Sequence, residues 1–344
     1  MRYLFGLSGR VRDRRTAVRP RHPRRVFLFA VSLLASAAYA AESVDKYPSR
    51  PVRVITGSTG STSDQIARFT AQKLTERLGQ QFIVDNRAGA GGTIGTDIVA
   101  KSVPDGYTLI IAHAGTHVSA VSLFKNLPYD PIRDFAPISL LMKGVTVLVA
   151  HPSVPANNVQ ELIALGKAKG GNGVAWGSAG SGTISHLAGE LFVRVSGVDF
   201  LHVPYKGAGP ALTGLLSGET QFAFLSPVTA RTQLQAKKVK AFTVTSLQRF
   251  PGLPDVPSAA EAGVPKLDAL LWFGLMAPAK TPQAIVTKLN KEINESFSQP
   301  DVKEALLKLG AIAAPTTPQE MTAFIKAELG KWTPVIKAAG IKAE

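Results

Sequence analysis

The chain has 344 residues, 45% of them hydrophobic, with no cysteine and a formal net charge of +15. That composition excludes a disordered chain, a disulfide-stapled scaffold and any Cys-based nucleophile or metal site, and the length exceeds the roughly 250–300 residues of a single core, so two lobes are expected. A nucleic-acid reading is also excluded, because nine arginines and one acid put +8 in residues 1–40 and the other +7 is spread without a basic block.

In chain order, Arg24-Arg25 precede an apolar run at 26–37, and Ala38-Tyr39-Ala40 supplies the small residues that signal peptidase reads. An export signal is expected over residues 1–40, cleaved after about Ala40, which leaves a soluble mature chain in the periplasm. The run is shorter than the ~20 residues that span a bilayer. Arg24-Arg25-Val26-Phe27-Leu28 also resembles a twin-arginine signal, but general secretion is the expectation.

Strand and helix patterns then alternate. Residues 51–55 read as a strand; in 64–78, Ala67, Ala71, Leu74 and Leu78 share one helical face, and Gly79 is placed to stop it. Further strands are read at 81–84, 107–111, 174–176, 200–203, 221–224 and 239–244. Further helices are read at 93–101, 158–169, 183–195, 210–216, 282–297, 301–309 and 318–339. Such alternation predicts an α/β fold with parallel sheets and right-handed crossovers. Two uninterrupted apolar runs, 145–150 and 270–276, are each expected to pass from one sheet to the other. Lobe I is then about residues 41–146 plus 273–344, and lobe II about residues 147–272.

Two strand-to-helix loops have unusual composition. They are Gly57-Ser58-Thr59-Gly60-Ser61-Thr62-Ser63-Asp64 and Gly177-Ser178-Ala179-Gly180-Ser181-Gly182-Thr183. Ligands of open α/β sheets collect at the carboxyl ends of strands. Glycine lets the backbone approach closely, and the following helix offers free N–H groups and a dipole to an anion. Three or four charge-assisted hydrogen bonds of ~1.5–3 kcal/mol approach the ~8 kcal/mol of micromolar affinity. His186, one turn into the second helix, is a candidate donor on the ligand side.

Other motifs fail on detail. The stretch 177–182 has phosphate-loop spacing, but Thr183 stands where Lys is needed. Gly89-Ala90-Gly91-Gly92-Thr93-Ile94 lacks the third glycine of a dinucleotide fingerprint, and no Gly-x-Ser-x-Gly elbow occurs. His113 and His117 are four apart, but Ala114 replaces the glutamate a zinc protease needs. No enzyme, metal or cofactor is expected.

Ordered segments along the chain resemble a known family. They include Tyr47-Pro48-Ser49-Arg50-Pro51-Val52-Arg53, Val84-Asp85-Asn86-Arg87-Ala88-Gly89-Ala90-Gly91-Gly92 and Pro104-Asp105-Gly106-Tyr107-Thr108-Leu109. Leu127-Pro128-Tyr129-Asp130-Pro131, His202-Val203-Pro204-Tyr205-Lys206-Gly207 and Trp272-Phe273-Gly274-Leu275 continue the series. Together they are similar to the Bug (TctC-like) solute-binding proteins over residues 46–344. The resemblance implies a two-lobed type II periplasmic-binding-protein fold, hinged on two crossing strands. It implies a receptor that delivers a small carboxylated solute to the membrane permease components of a tripartite tricarboxylate transporter. A monomer is expected, with main-chain groups and bridging waters holding the ligand. The implied ligand loops are Ser58, Thr59, Gly60, Ser61, Thr62 and Asp64, then Ser178, Ala179, Gly180, Ser181, Gly182 and Thr183, with Tyr205 and Ser226 closing the other side.

Two departures bear on the ligand. The first loop is more polar than the family's, and Leu225 stands where an Asp often meets an amino group. A purely acidic or aromatic ligand is therefore expected over an amino acid. The same clamp would also serve a sensor that presents its ligand to a signalling partner.

Overall fold

The computed structural model describes residues 46–340, so the expected export signal lies outside the described residues. The first strand, β1 (Val52–Thr56), buries Val52, Val54 and Ile55, and pairs in parallel with β2 (Phe82–Asn86) and β3 (Thr108–His113). Between β1 and β2 runs α1 (Thr62–Leu78), which buries Ile66, Ala67, Ala71 and Leu74 as an i, i+4 stripe. Ser61 caps it by accepting the Asp64 N–H, and Gly79 ends it at φ 70°, where only glycine is unstrained. The short helix α2 (Thr93–Ala100) leads into β3. A π-type turn, Gly115–Ser119, follows β3 and continues into α3 (Ala120–Leu123).

This sheet is completed by β4 (Phe135–Gly144), β10 (Leu271–Pro278) and β11 (Ala311–Ala313), in the order β11-β4-β10-β3-β1-β2. Helices α8 (Gln283–Phe297), α9 (Pro300–Lys308) and α10 (Pro318–Ala338) cover it. A capping box between Thr317 and Glu320 starts α10, which packs on β4 and also meets the helix Ile184–Ser196 beside the second sheet.

The second sheet has the order β7-β6-β8-β5-β9. Its strands are β5 (Val147–Ala150), β6 (Ala175–Ser178), β7 (Leu201–Pro204), β8 (Phe222–Leu225) and β9 (Lys240–Val244). They are linked by α4 (Val159–Ala168), α5 (Ile184–Ser196), α6 (Ala208–Leu216) and α7 (Pro227–Gln235). Trp176 on β6 is fully buried, and its ring lies over Gly189 of α5, where an added Cβ would come within 2.0 Å of it. Burying roughly 200 Å² of such a ring stabilises by about 5 kcal/mol at most.

Both sheets are mixed, where alternation predicted parallel ones. β10 runs antiparallel to β3 and β4, and β5 runs antiparallel to β8 and β9. The reason is topological: a strand that arrives from the other sheet does not follow a right-handed βαβ crossover. The chain leaves the first sheet at Val145–Thr146, between β4 and β5. It returns somewhere between Val244 and Leu271, so the apolar run at 270–276 lies in the first sheet rather than crossing. The two crossings are knitted together. Thr146 N–H donates to Thr245 Oγ1 at 2.9 Å, Thr245 N–H to Thr146 O at 2.9 Å and Ala269 N–H to Thr245 O at 3.1 Å. Both threonines are buried, so these bonds are shielded from water.

Candidate functional site

The loop between β6 and α5 is wired from behind. Ser178 is buried; its hydroxyl accepts the Gly180 N–H at 3.2 Å and shares a 2.7 Å bond with His202 Nε2. Ala179 N–H donates to Ser185 Oγ, and Gly182 N–H donates to His186 Nδ1 at 3.0 Å. Thr183 caps α5 and returns its own proton to Gly180 O at 2.7 Å. Behind this loop the rings of Trp176, His202 and His186 stack, with centroids 4.1 and 4.2 Å apart. Burial pushes the His202 pKa down to about 4, and the neighbouring His186 adds to the fall. Tyr205 braces the same loop, its N–H on Ser178 O and its ring against Gly177 and Gly214.

His186, Glu190 and His202 bring ligand-type atoms within 4.8 Å of one another. The imidazole planes are inclined by only 17°, so their in-plane lone pairs do not converge on one ion. His186 Nδ1 already holds Gly182, and its Nε2 faces Glu190 at 3.4 Å.

The loop between β1 and α1 is built differently. Ser58, Thr59 and Gly60 are exposed. Asp64 is buried and accepts from Gly60 N–H at 2.8 Å, Asn86 Nδ2 at 2.9 Å and Arg68 Nε at 3.1 Å. Burial pushes its pKa up, but the bonds from Asn86, Gly60 and Arg68 outweigh that and hold it below the usual carboxylate value. This carboxylate fastens the loop to itself.

Two adjoining compartments lie where these loops meet, and they share Thr183, Ile184 and Leu271. The first, about 340 Å³, is lined by the starts of four helices. Thr62 begins α1, Thr183, Ile184 and Ser185 open α5, Ala208 and Gly209 open α6, and Ser226 and Thr229 belong to the first turn of α7. Val145 and Thr146 of the outgoing crossing form part of its wall, as does Leu225. The second, about 370 Å³, is lined by Ala90, Gly91, His113, Leu123, Phe124 and Leu187, and by Ser181 and Gly182 of the second loop. Among the described residues no Asp, Glu, Lys or Arg lines either compartment.

Of the residues anticipated from sequence, Thr62, Ala179, Thr183 and Ser226 line the first compartment, and Ser181, Gly182 and Thr183 the second. Ser58, Thr59, Gly60, Ser61, Asp64, Ser178, Gly180, His186 and Tyr205 do not line them. Of these, Ser61, Asp64, Ser178 and His186 bond through their side chains to neighbouring side chains or backbone groups, and Ser58 and Thr59 are exposed. Sequence reading misses the start of α6 and the wall that the second compartment takes from Ala90, Gly91, His113, Leu123, Phe124 and Leu187. The signals are present in the small-residue run Gly207-Ala208-Gly209 and in His113, which spacing alone presents only as half of a zinc pair.

Two α/β sheets joined by two crossings, with a cleft walled by helix N-termini and no charged side chain, define a solute-binding receptor of the two-lobed periplasmic type. The chain belongs to the tripartite tricarboxylate transporter family of receptors, TctC, which it matches over residues 66–341. It is 36% identical over 312 residues to protein BugT of Bordetella pertussis, covering 90% of this chain and 95% of that protein. Among solved structures it is similar to R. palustris Rpa4515 with adipate, at 34% identity and a TM-score of 0.75 over 86% of this chain and 99% of that one. It is also similar to MatC (Rpa3494) from Rhodopseudomonas palustris with bound malate, at 36% identity and a TM-score of 0.70 over 84% and 100% of the two chains. The family consists of receptors, not enzymes. Among the described residues no helix is long and apolar enough to cross a membrane.

Proposed function

We propose that the chain is an exported receptor that closes on a small carboxylate between two lobes, about residues 41–146 with 273–344 and residues 147–272, and hands it to a membrane permease. Cleavage after about Ala40 would release it, as a monomer, into the periplasm. The observation that carries this reading is the convergence of four helix N-termini on one compartment without a cation. An α-helix leaves its first N–H groups without an internal acceptor, so those of Ile184, Ser185, Ala208 and Gly209 are available to an anion. The hydroxyls of Thr62, Ser226 and Thr229 stand beside them. With Leu225 and no acid among the described residues of the wall, an ammonium group would find no carboxylate to pair with, which disfavours an amino-acid ligand.

Adipate and malate in the similar solved proteins fit the same chemistry. Thr62 comes from one proposed lobe and the starts of α5, α6 and α7 from the other, so a carboxylate touching both favours the closed state. The test uses Gly209→Asp. A Cβ there meets nothing within 4 Å, and an acid suits a helix start, so the fold should survive. Calorimetry with the acid that co-purifies, identified by native mass spectrometry, should show affinity falling about 100-fold or more. Unchanged affinity would remove this compartment from the site.

A further inference from the structure

We propose that the second compartment reads the far end of the solute through His113, so that the ligand is a monocarboxylate whose apolar body ends in an uncharged hydrogen-bond acceptor such as a ketone oxygen. This rests on the reading of the first compartment as the carboxylate end. The two spaces adjoin at Thr183, Ile184 and Leu271, so one extended molecule can occupy both. Ala90, Leu123, Phe124, Ile184, Leu187 and Leu271 make most of the second space apolar, and among the described residues His113 is the one titratable residue on its wall.

The tautomer of His113 follows from its partners. Gly115 N–H donates to Nδ1 at 3.1 Å, so in the neutral ring the proton sits on Nε2. No hydrogen bond from a described residue is made to Nε2, and His113 as a whole is of intermediate burial. It stands beside Gly92, where a built Cβ would be 3.6 Å from Nε2, and against the Phe273 ring at 5.8 Å. Burial pushes the pKa down to about 4, so the ring is neutral at pH 7.

A second carboxylate in this space would lose its hydration and meet the His113 Nε2–H on a wall whose other polar side chains are the hydroxyls of Ser119, Ser181 and Thr183, with neither a cation nor the four converging helix starts of the first compartment. A hydrocarbon end would leave Nε2–H unpaired once the cleft closes. A ketone accepts the Nε2–H and carries no charge to desolvate. On this account the chain parts company with the relatives solved with adipate and malate, both dicarboxylates.

The experiment compares three acids of one length with the mature protein by calorimetry at pH 7: 6-oxoheptanoate, adipate and 6-methylheptanoate. They differ only in whether the far end is a ketone, a carboxylate or a branched alkyl group. The ketone should bind about tenfold or more tighter than either of the others. His113→Phe should bring the ketone-to-alkyl ratio to about one, while His113→Gln, which keeps an N–H donor, should retain part of the preference. Adipate binding as tightly as the ketone, equal binding of all three, or a ratio unmoved in His113→Phe would each overturn the proposal. A protein that binds no carboxylic acid at all would instead sink the functional reading beneath it.

Discussion

The two glycine-rich loops have similar composition and the same strand-to-helix setting, but they are wired in opposite ways. In the loop after β1, one buried carboxylate, Asp64, gathers Gly60, Asn86 and Arg68, and the hydroxyls of Ser61 and Ser63 bond to each other. Of 58–64, only Thr62 reaches a compartment. In the loop after β6, Ser178, Ser185 and His186 take up the N–H groups of Gly180, Ala179 and Gly182 from behind. The front of α5 stays open to the cleft. Glycine and hydroxyl content therefore mark a place where backbone turns sharply; which N–H groups stay open to the cleft is decided by the bonds that side chains of the loop and of the following helix turn make.

Acid should break this comparison most strongly. The folded-state pKa of His202 is about 4 against an ordinary 6.5, so its contribution is full above 6.5 and is lost as pH falls from there through 4. His113 and His117, pushed to about 4 and about 3 by burial, act in the same direction. A tenfold change in proton affinity is worth about 1.4 kcal/mol, so a loss of several kcal/mol is expected, discounted at partly exposed His202. Protonation would also set an imidazolium against the His186 ring. Asp64, held below its usual value, keeps its charge over that range and fails only at lower pH. Urea midpoints at pH 7.5 and pH 4.5 should differ clearly, and His202→Phe should narrow the difference. Identical midpoints would show that the backing of the second loop does not titrate.

Gly189→Ala strikes the same backing sterically. Its Cβ would lie 2.0 Å from the Trp176 ring, which is fully buried beneath the stacked histidines. Alanine gains about 1 kcal/mol of helix propensity, but displacing the ring should cost about 3 kcal/mol, so thermal unfolding should come at lower temperature. Gly182→Val is smaller and local. Its φ of 74° strains a branched residue by about 1–2 kcal/mol, and its Cβ would press Leu123 at 3.0 Å. Affinity for the co-purifying acid should fall about tenfold or more with the fold intact; unchanged affinity would detach the second loop from the cleft.

Much of this is legible in the chain. The periodicity of 64–78 with Gly79 locates α1 to within two residues, and the compositions of 57–64 and 177–183 locate both loops. Strand direction is not legible, because β5 and β10 acquire their neighbours only after the crossings are made. Helix α7 escapes a periodicity reading since Thr229, Arg231, Thr232, Gln233 and Gln235 carry little apolar rhythm, although Ser226-Pro227 is a sound start signal. The roles of Asp64 and His186 are hidden for one reason. Loop composition makes each face forward, while its partners, Asn86 on β2 and Glu190 one turn along α5, stand behind or beside it.

Asp64→Ala tests the other half of the comparison and should have the smallest effect on binding. It releases Gly60 N–H, takes one acceptor from the Asn86 amide and breaks the ion pair with Arg68, which stays bonded to Asn86 Oδ1. Arg68 is more than half exposed, so that ion pair contributes little. Asn86 still holds Gly57 O at 3.0 Å, and Ser61 still caps α1. The loss should be about 1–2 kcal/mol of stability, seen as faster amide exchange at Gly60 and its neighbours rather than at the loop after β6. Affinity should drop by about threefold or less, because only Thr62 of this stretch lines the cleft. A drop of about 100-fold would mean that the first loop, for all its exposure, is held in place by Asp64 in order to meet the ligand, and the asymmetry between the loops would collapse.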